Sequence, residues 1–204
     1  MGDWGRQLAM SYLYLGIVLF FTAHVVAAMR SRGPGNLREK IGYGPYMGLF
    51  SLVSGSGLAL MIWGYGQARI DPTNILFWTS PEWTRHIVLA IMPISLILLV
   101  SAYVPTGHIK KCVKHPMLAA VKIWAAAHLI YNGDLASVLL FGSFLAYAVF
   151  SRIMAKRRGD NGPAISKASV KGDLIAIILG LGFYVVTVLW LHTLLIGVPA
   201  VVHG

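Results

Sequence analysis

His115–Gly142 reads HPMLAAVKIWAAAHLIYNGDLASVLLFG. Two apolar runs flank a short polar turn, Tyr131-Asn132-Gly133-Asp134, which is the pattern of a helical hairpin in a membrane. Yet the stretch also holds His115, Lys122 and His128. Ionisable groups at mid-bilayer cost roughly 3 kcal/mol or more each for Lys or Asp. A turn at the water interface accounts for Asn132 and Asp134. It accounts less well for His128, and it does not explain Lys122, which sits inside an apolar run.

The rest of the chain agrees with a membrane setting. Of 204 residues, 57% are hydrophobic and only 12% charged, where a soluble domain carries about 25% charged residues. The apolar runs predict about six transmembrane helices: Leu8–Met29, Pro45–Gln67, Arg85–Val104, Pro116–Ile130, Leu135–Ser151 and Asp173–Val198. The expected fold is an all-α polytopic bundle forming a single domain over residues 1–204. Span two is rich in small residues (Gly48, Ser51, Ser54, Gly55, Ser56 and Gly57) that let helices approach closely. Pro93 lies inside span three, where a kink is expected.

Charge orders the spans. The formal net charge is +10, but the basic residues cluster in short loops, which argues for topology and anionic head groups rather than nucleic acid. The loops after spans one, three and five carry 4, 3 and 6 Lys and Arg, and those after spans two and four carry 1 and 0. By the positive-inside rule both termini lie on the outer side. No phosphate loop, His-Glu-x-x-His or nucleophile elbow occurs.

The histidines form the main chemical signal. Of seven, six lie in or beside spans: His24, His86, His108, His115, His128 and His192. Neutral imidazole ligates haem iron and other metals. Without carboxylate or cysteine clusters, hard-ion and iron–sulfur sites are disfavoured. Two histidines on facing helices clamping a b-type haem is the economical reading. The one cysteine, Cys112, is not part of a Cys-x-x-Cys-His site, so any haem is non-covalent. Depth alone pairs His24, ~8 Å from the inner boundary, with His108 or His115 rather than with His128 at ~20 Å. His86 and His192 lie nearer the outer side, as His128 does.

The chain resembles the NnrU family of membrane proteins. The resemblance rests on His115-Pro116-Met117-Leu118, Val121-Lys122-Ile123-Trp124, Ala127-His128-Leu129, Asn132 to Ser137 and Leu140-Phe141-Gly142. Ala23-His24, Trp83 to His86 and Gly107-His108 support it, and it covers about Leu8 to Leu195. The family includes bacterial proteins associated with denitrification and nitric oxide reductase expression, and the 15-cis-zeta-carotene isomerases, membrane b-haem enzymes active when the haem is reduced. The resemblance implies haem histidines at His24 and His128, with His115, His86 and Lys122 as further candidate cofactor-binding residues. Where the isomerases carry a cysteine three residues before the second histidine, this chain has Ala125. It looks closer to the bacterial branch, which implies a bacterial inner membrane.

Three functions are therefore in view. One is a haem protein acting on a lipophilic polyene as a redox-dependent cis–trans isomerase. The second is a non-enzymatic accessory protein for nitric oxide or nitrite metabolism. The third is a membrane methyltransferase, because His115-Pro116 after a basic loop is similar to isoprenylcysteine and phospholipid methyltransferases. That chemistry expects Glu and Arg after the last hairpin, and Ser151 to Lys171 contains no Glu. The partners expected are membrane lipids, a lipophilic small molecule and a redox partner of unspecified kind.

Overall fold

The hairpin is present, built from α6 (Pro116–Tyr131) and α7 (Leu135–Arg157). Pro116 at the first position of α6 starts that helix without wasting an N–H. Asp134 is the N-cap of α7: its carboxylate accepts from the Ser137 backbone N–H at 3.0 Å and the Ser137 hydroxyl at 2.6 Å. Asn132 Nδ2 donates to the His128 carbonyl at 3.0 Å and so closes the last turn of α6. Both polar residues of the turn thus satisfy helix ends.

The computed structural model describes residues 3–29, 37–162 and 168–201. Arg30, Arg32, the Gly33-Pro34-Gly35 break, Pro163 and Lys167 lie outside the described residues. The architecture is all-α, as the apolar runs predict, and an isolated Leu76–Asp134 bridge is the one β pairing among the described residues. Five helical segments are long and apolar enough to cross a membrane, and α6, with 16 residues, is a shorter apolar helix. Trp63, Leu52, Ile178 and Leu194 are exposed large side chains, as lipid-facing positions require.

The chain divides into two compact units, Met1–Ile75 and Leu76–Gly204. In the first, α1 (Asp3–Met29) packs along α3 (Tyr43–Ala68), preceded by the short α2 (Leu37–Ile41). Glycines set their separation. A Cβ on Gly57 would stand 2.7 Å from the Phe20 nitrogen, one on Gly16 2.6 Å from the Met61 nitrogen, and one on Gly64 would strike the Leu13 backbone. Gly57, Met61 and Gly64 share one helical face, and Leu13 and Met61 are fully buried. Of the small residues read as packing positions, Ser54 is buried and Gly57 meets the partner helix, whereas a Cβ on Gly48 or Gly55 would meet nothing within 4 Å.

In the second unit, α4 (Thr84–Ser101) packs on both α6 and α8 (Val170–Val186), and α6 also packs on α7. Ser95 donates to the Ala120 carbonyl at 2.9 Å and Tyr184 donates to the Leu89 carbonyl at 3.0 Å, which fixes both registers. Pro93 lies within α4. Span five runs to Arg157, a turn and a half beyond the expected Ser151, because Arg152, Lys156 and Arg157 are good helix formers at a helix C-terminus. Span six is not one regular helix: α8 passes into a π-helical segment, Thr187–Leu191, and then α9 (His192–Ile196).

The basic loop after α4 contains a helix of its own, α5 (His108–Val113). Asp173 of α8 receives the His108 N–H (2.9 Å), the Ile109 N–H (2.9 Å) and His108 Nδ1 (2.8 Å). Lys110 Nζ donates to the Ala102 carbonyl at 2.9 Å at the end of α4. Gly107 has no room for a side chain, since a Cβ there would collide with the Asp173 carboxylate.

Two predictions follow from this packing. Gly57→Val should destabilise the first unit by ~1–3 kcal/mol through overpacking, whereas Gly55→Val should leave it unchanged; thermal unfolding in detergent distinguishes them. Asp173→Ala should release α5, seen as a lower melting temperature and faster tryptic cleavage after Lys110 and Lys111; an unchanged cleavage rate would mean that the cap does not hold α5.

Candidate functional site

His128 stands in the last turn of α6. Its Nδ1 lies 2.8 Å from the Trp124 carbonyl of its own helix. A carbonyl oxygen only accepts, so Nδ1 carries the hydrogen, and in the neutral ring Nε2 holds the lone pair. The ring stacks on Phe141 of α7, with centroids 4.7 Å apart and planes at 29°, and lies 5.4 Å from the Trp124 ring. Trp124 in turn meets Phe141 and Phe144 edge-on, at 5.0 and 5.2 Å. The imidazole is therefore held by one hydrogen bond and an aromatic wall. That is how a ligating histidine is oriented from behind.

His24, in the first unit, has the same local arrangement. Its Nδ1 donates to the Phe20 carbonyl at 2.8 Å, its ring stacks on Phe20 at 4.0 Å and 23°, and Phe50 of α3 lies 5.0 Å away. The (i, i−4) carbonyl bond selects the same tautomer in both histidines.

The other sequence candidates are placed differently. His115 precedes His128 by thirteen residues on α6, about 20 Å along the axis. Its Nε2 lies 3.1 Å from the Asp160 carbonyl, joining the start of α6 to the loop after α7. Lys122 is half-buried near the middle of α6, about 9 Å below His128. Asp134, twelve residues on across the turn, has its carboxylate engaged by Ser137. His86 is in the first turn of α4 and is exposed. His108 bonds Asp173 at α5. His192 donates from Nδ1 to the Val198 carbonyl at 2.6 Å. Among the described residues no group of three or more His, Cys, Asp or Glu could hold a bare metal ion. Ala125, at the position where the isomerases carry cysteine, is completely buried.

Two residues missed in the sequence reading belong to the same end of the second unit. Arg85 Nε and Thr187 Oγ1 are buried with no hydrogen-bond partner among the described residues. An unsatisfied buried donor costs about 1–3 kcal/mol, and more when charged. The α4–α6 register set by Ser95 and Ala120 carries Arg85 to the level of Ile130, about 3 Å from that of His128. The α4–α8 register set by Leu89 and Tyr184 carries it to within one residue of Thr187. Arg85 was visible as a cation opening an apolar run. Thr187 carried no sequence signal, because only the burial of its hydroxyl among the described residues singles it out.

The segment Leu76–Ser80 lies over the α6–α7 turn. Phe77 N–H donates to the Gly133 carbonyl at 2.8 Å, and Ser80 donates to the Ile130 carbonyl at 2.5 Å. A side chain at Gly133 would collide with Trp78, so this glycine is needed for the segment to seat.

Comparison with the curated proteins and with the solved structures finds no match. The family model described as NnrU protein matches residues 12–200 and runs across both units. With the hairpin motifs that carry the resemblance occupying the α6–α7 core of the second unit, the chain belongs to the NnrU family.

Proposed function

We propose that this multi-pass membrane protein is a non-covalent b-type haem protein with His128 as an axial ligand. The observation that carries the reading is the fixed tautomer of His128, with Nδ1 held by the Trp124 carbonyl and the ring backed by Phe141. Neutral imidazole is the common haem ligand, and the surrounding Trp124, Phe141 and Phe144 suit a flat apolar macrocycle. His24, with the same tautomer, is the ligand candidate of the first unit. When bound, haem would supply a redox-active iron able to exchange electrons with a conjugated partner. The protein's own residues orient the imidazole and exclude water from its face.

In the isomerase form of this reading the substrate is a lipophilic polyene such as a zeta-carotene, reached from the bilayer. No general acid or base is required, because cis–trans change needs only transient loss of double-bond character. The second form is a haem carrier or sensor for nitric oxide or nitrite metabolism. Ala125 favours it, since the side chain proposed to exchange as a ligand in the isomerases is replaced by a methyl group. Both forms share the placement in a bacterial inner membrane, with the basic loops on the cytoplasmic side.

The test is a reduced-minus-oxidised absorption spectrum of the detergent-purified protein. The wild type should give a sharp Soret band with resolved α and β bands on reduction. His128→Ala should abolish them, and His24→Ala tests the candidate of the first unit by its haem content. Normal haem content and spectrum in His128→Ala would remove that residue from the site, and a featureless wild-type spectrum after expression with ample haem would overturn the reading.

A further inference from the structure

We propose that Arg85, assisted by Thr187, is the carboxylate-binding element of the His128 site. Resting on the haem reading above, its ligand is a haem propionate. Two buried polar atoms without partners, Arg85 Nε and Thr187 Oγ1, occur at the level of one ligand-competent imidazole. The two atoms and the imidazole come from three different helical segments of one unit: α4, the π-helical segment and α6.

The chemistry of the pair specifies the ligand. A guanidinium presents Nε–H and an Nη–H in a planar fork that matches the two oxygens of a carboxylate. A hydroxyl adds one further donor to the same anion. A cation with a buried, unpaired donor in a membrane bundle calls for an anion, since intramembrane ionisable groups pair with one another or with a ligand. Two acids of the same unit are engaged elsewhere: Asp173 serves His108 and Asp160 lies beside His115.

Placement agrees with the ligand. His128 is in the last turn of α6 and Arg85 in the first turn of α4, so both are at helix ends, where the cost of holding charge is lowest. Haem carries both propionates on one edge of its macrocycle. Arg85 and Thr187 are the residues that would hold a propionate of a haem bound at His128. Thr187 follows directly on α8 as the first residue of the π-helical segment, so the Tyr184–Leu89 bond that sets the α4–α8 register also sets its level.

The experiment titrates full-length protein, purified in detergent from haem-deficient cells, with haemin and with haemin dimethyl ester, following the Soret band. The ester keeps the iron and ring and removes the carboxylates. The wild type should bind haemin about tenfold or more tightly than the ester, as expected for a charge-assisted bidentate contact. In Arg85→Gln the two affinities should converge, through weaker haemin binding with ester binding retained; the retained ester spectrum also reports that the variant is folded. Thr187→Val should shrink the ratio by roughly threefold, the share of a single hydrogen bond. Undiminished discrimination in Arg85→Gln overturns the assignment and leaves the haem reading standing. If Arg85→Gln binds neither compound, Arg85→Lys and Thr187→Val decide, and wild-type ratios in both overturn it. A wild type that binds neither compound overturns the haem reading and this assignment with it.

Discussion

A helix in an apolar medium must satisfy its own backbone, and its ends are where that fails. Each polar residue near a helix end in the second unit can be read against this constraint. Asp134 holds the first turn of α7, Asn132 closes the last turn of α6, and Lys110 takes up a carbonyl at the end of α4. Asp173 does the same work at long range: an acid within α8 caps α5, a helix sixty-odd residues earlier. Much of the polar content of the hairpin and its neighbouring loop is thereby spent on closing helices. The groups left over are the informative ones.

His24 and His128 meet the same constraint differently. Each bonds the carbonyl four residues back, at 2.8 Å in both cases, so that a ring inside a span costs no separate partner. The consequence is chemical as well as structural, because that bond commits Nδ1 as the donor and leaves the lone pair on Nε2. Stacking on Phe20 and Phe141 then limits the ring's rotation. Arg85 and Thr187 stand apart from this economy, since Arg85 Nε and Thr187 Oγ1 are buried and meet no partner among the described residues.

Glycine shapes the two units in different ways. In the first, Gly16, Gly57 and Gly64 bring two backbones together, the close approach that dispersion forces need where no water is present to drive association. In the second, Gly133 and Gly107 make room for a single neighbour each, the Trp78 segment and the Asp173 carboxylate. Substituting any of these would act through displacement of an element rather than through loss of a contact.

Sequence alone determined the helical class, most of the span limits and the family, because these depend on hydrophobicity summed over twenty residues and on local motifs. Through the resemblance it also named His24 and His128 as the candidate haem ligands. It could not say which small residues of α3 face α1, for Gly55 and Gly57 look alike until a partner helix chooses between them. Nor could it assign His115 and Asp134 to corner and cap, because their bonding partners are set by the turn geometry and, for His115, by a loop forty-five residues away. The π-helical segment was decided by tertiary structure alone, since a one-residue widening leaves no mark on apolar periodicity, and so was the burial of the Thr187 hydroxyl. Arg85 was legible as a charge. That its Nε is buried and unpaired beside the level of His128 depends on the registers of α4 with α6 and α8, which two side-chain hydrogen bonds fix.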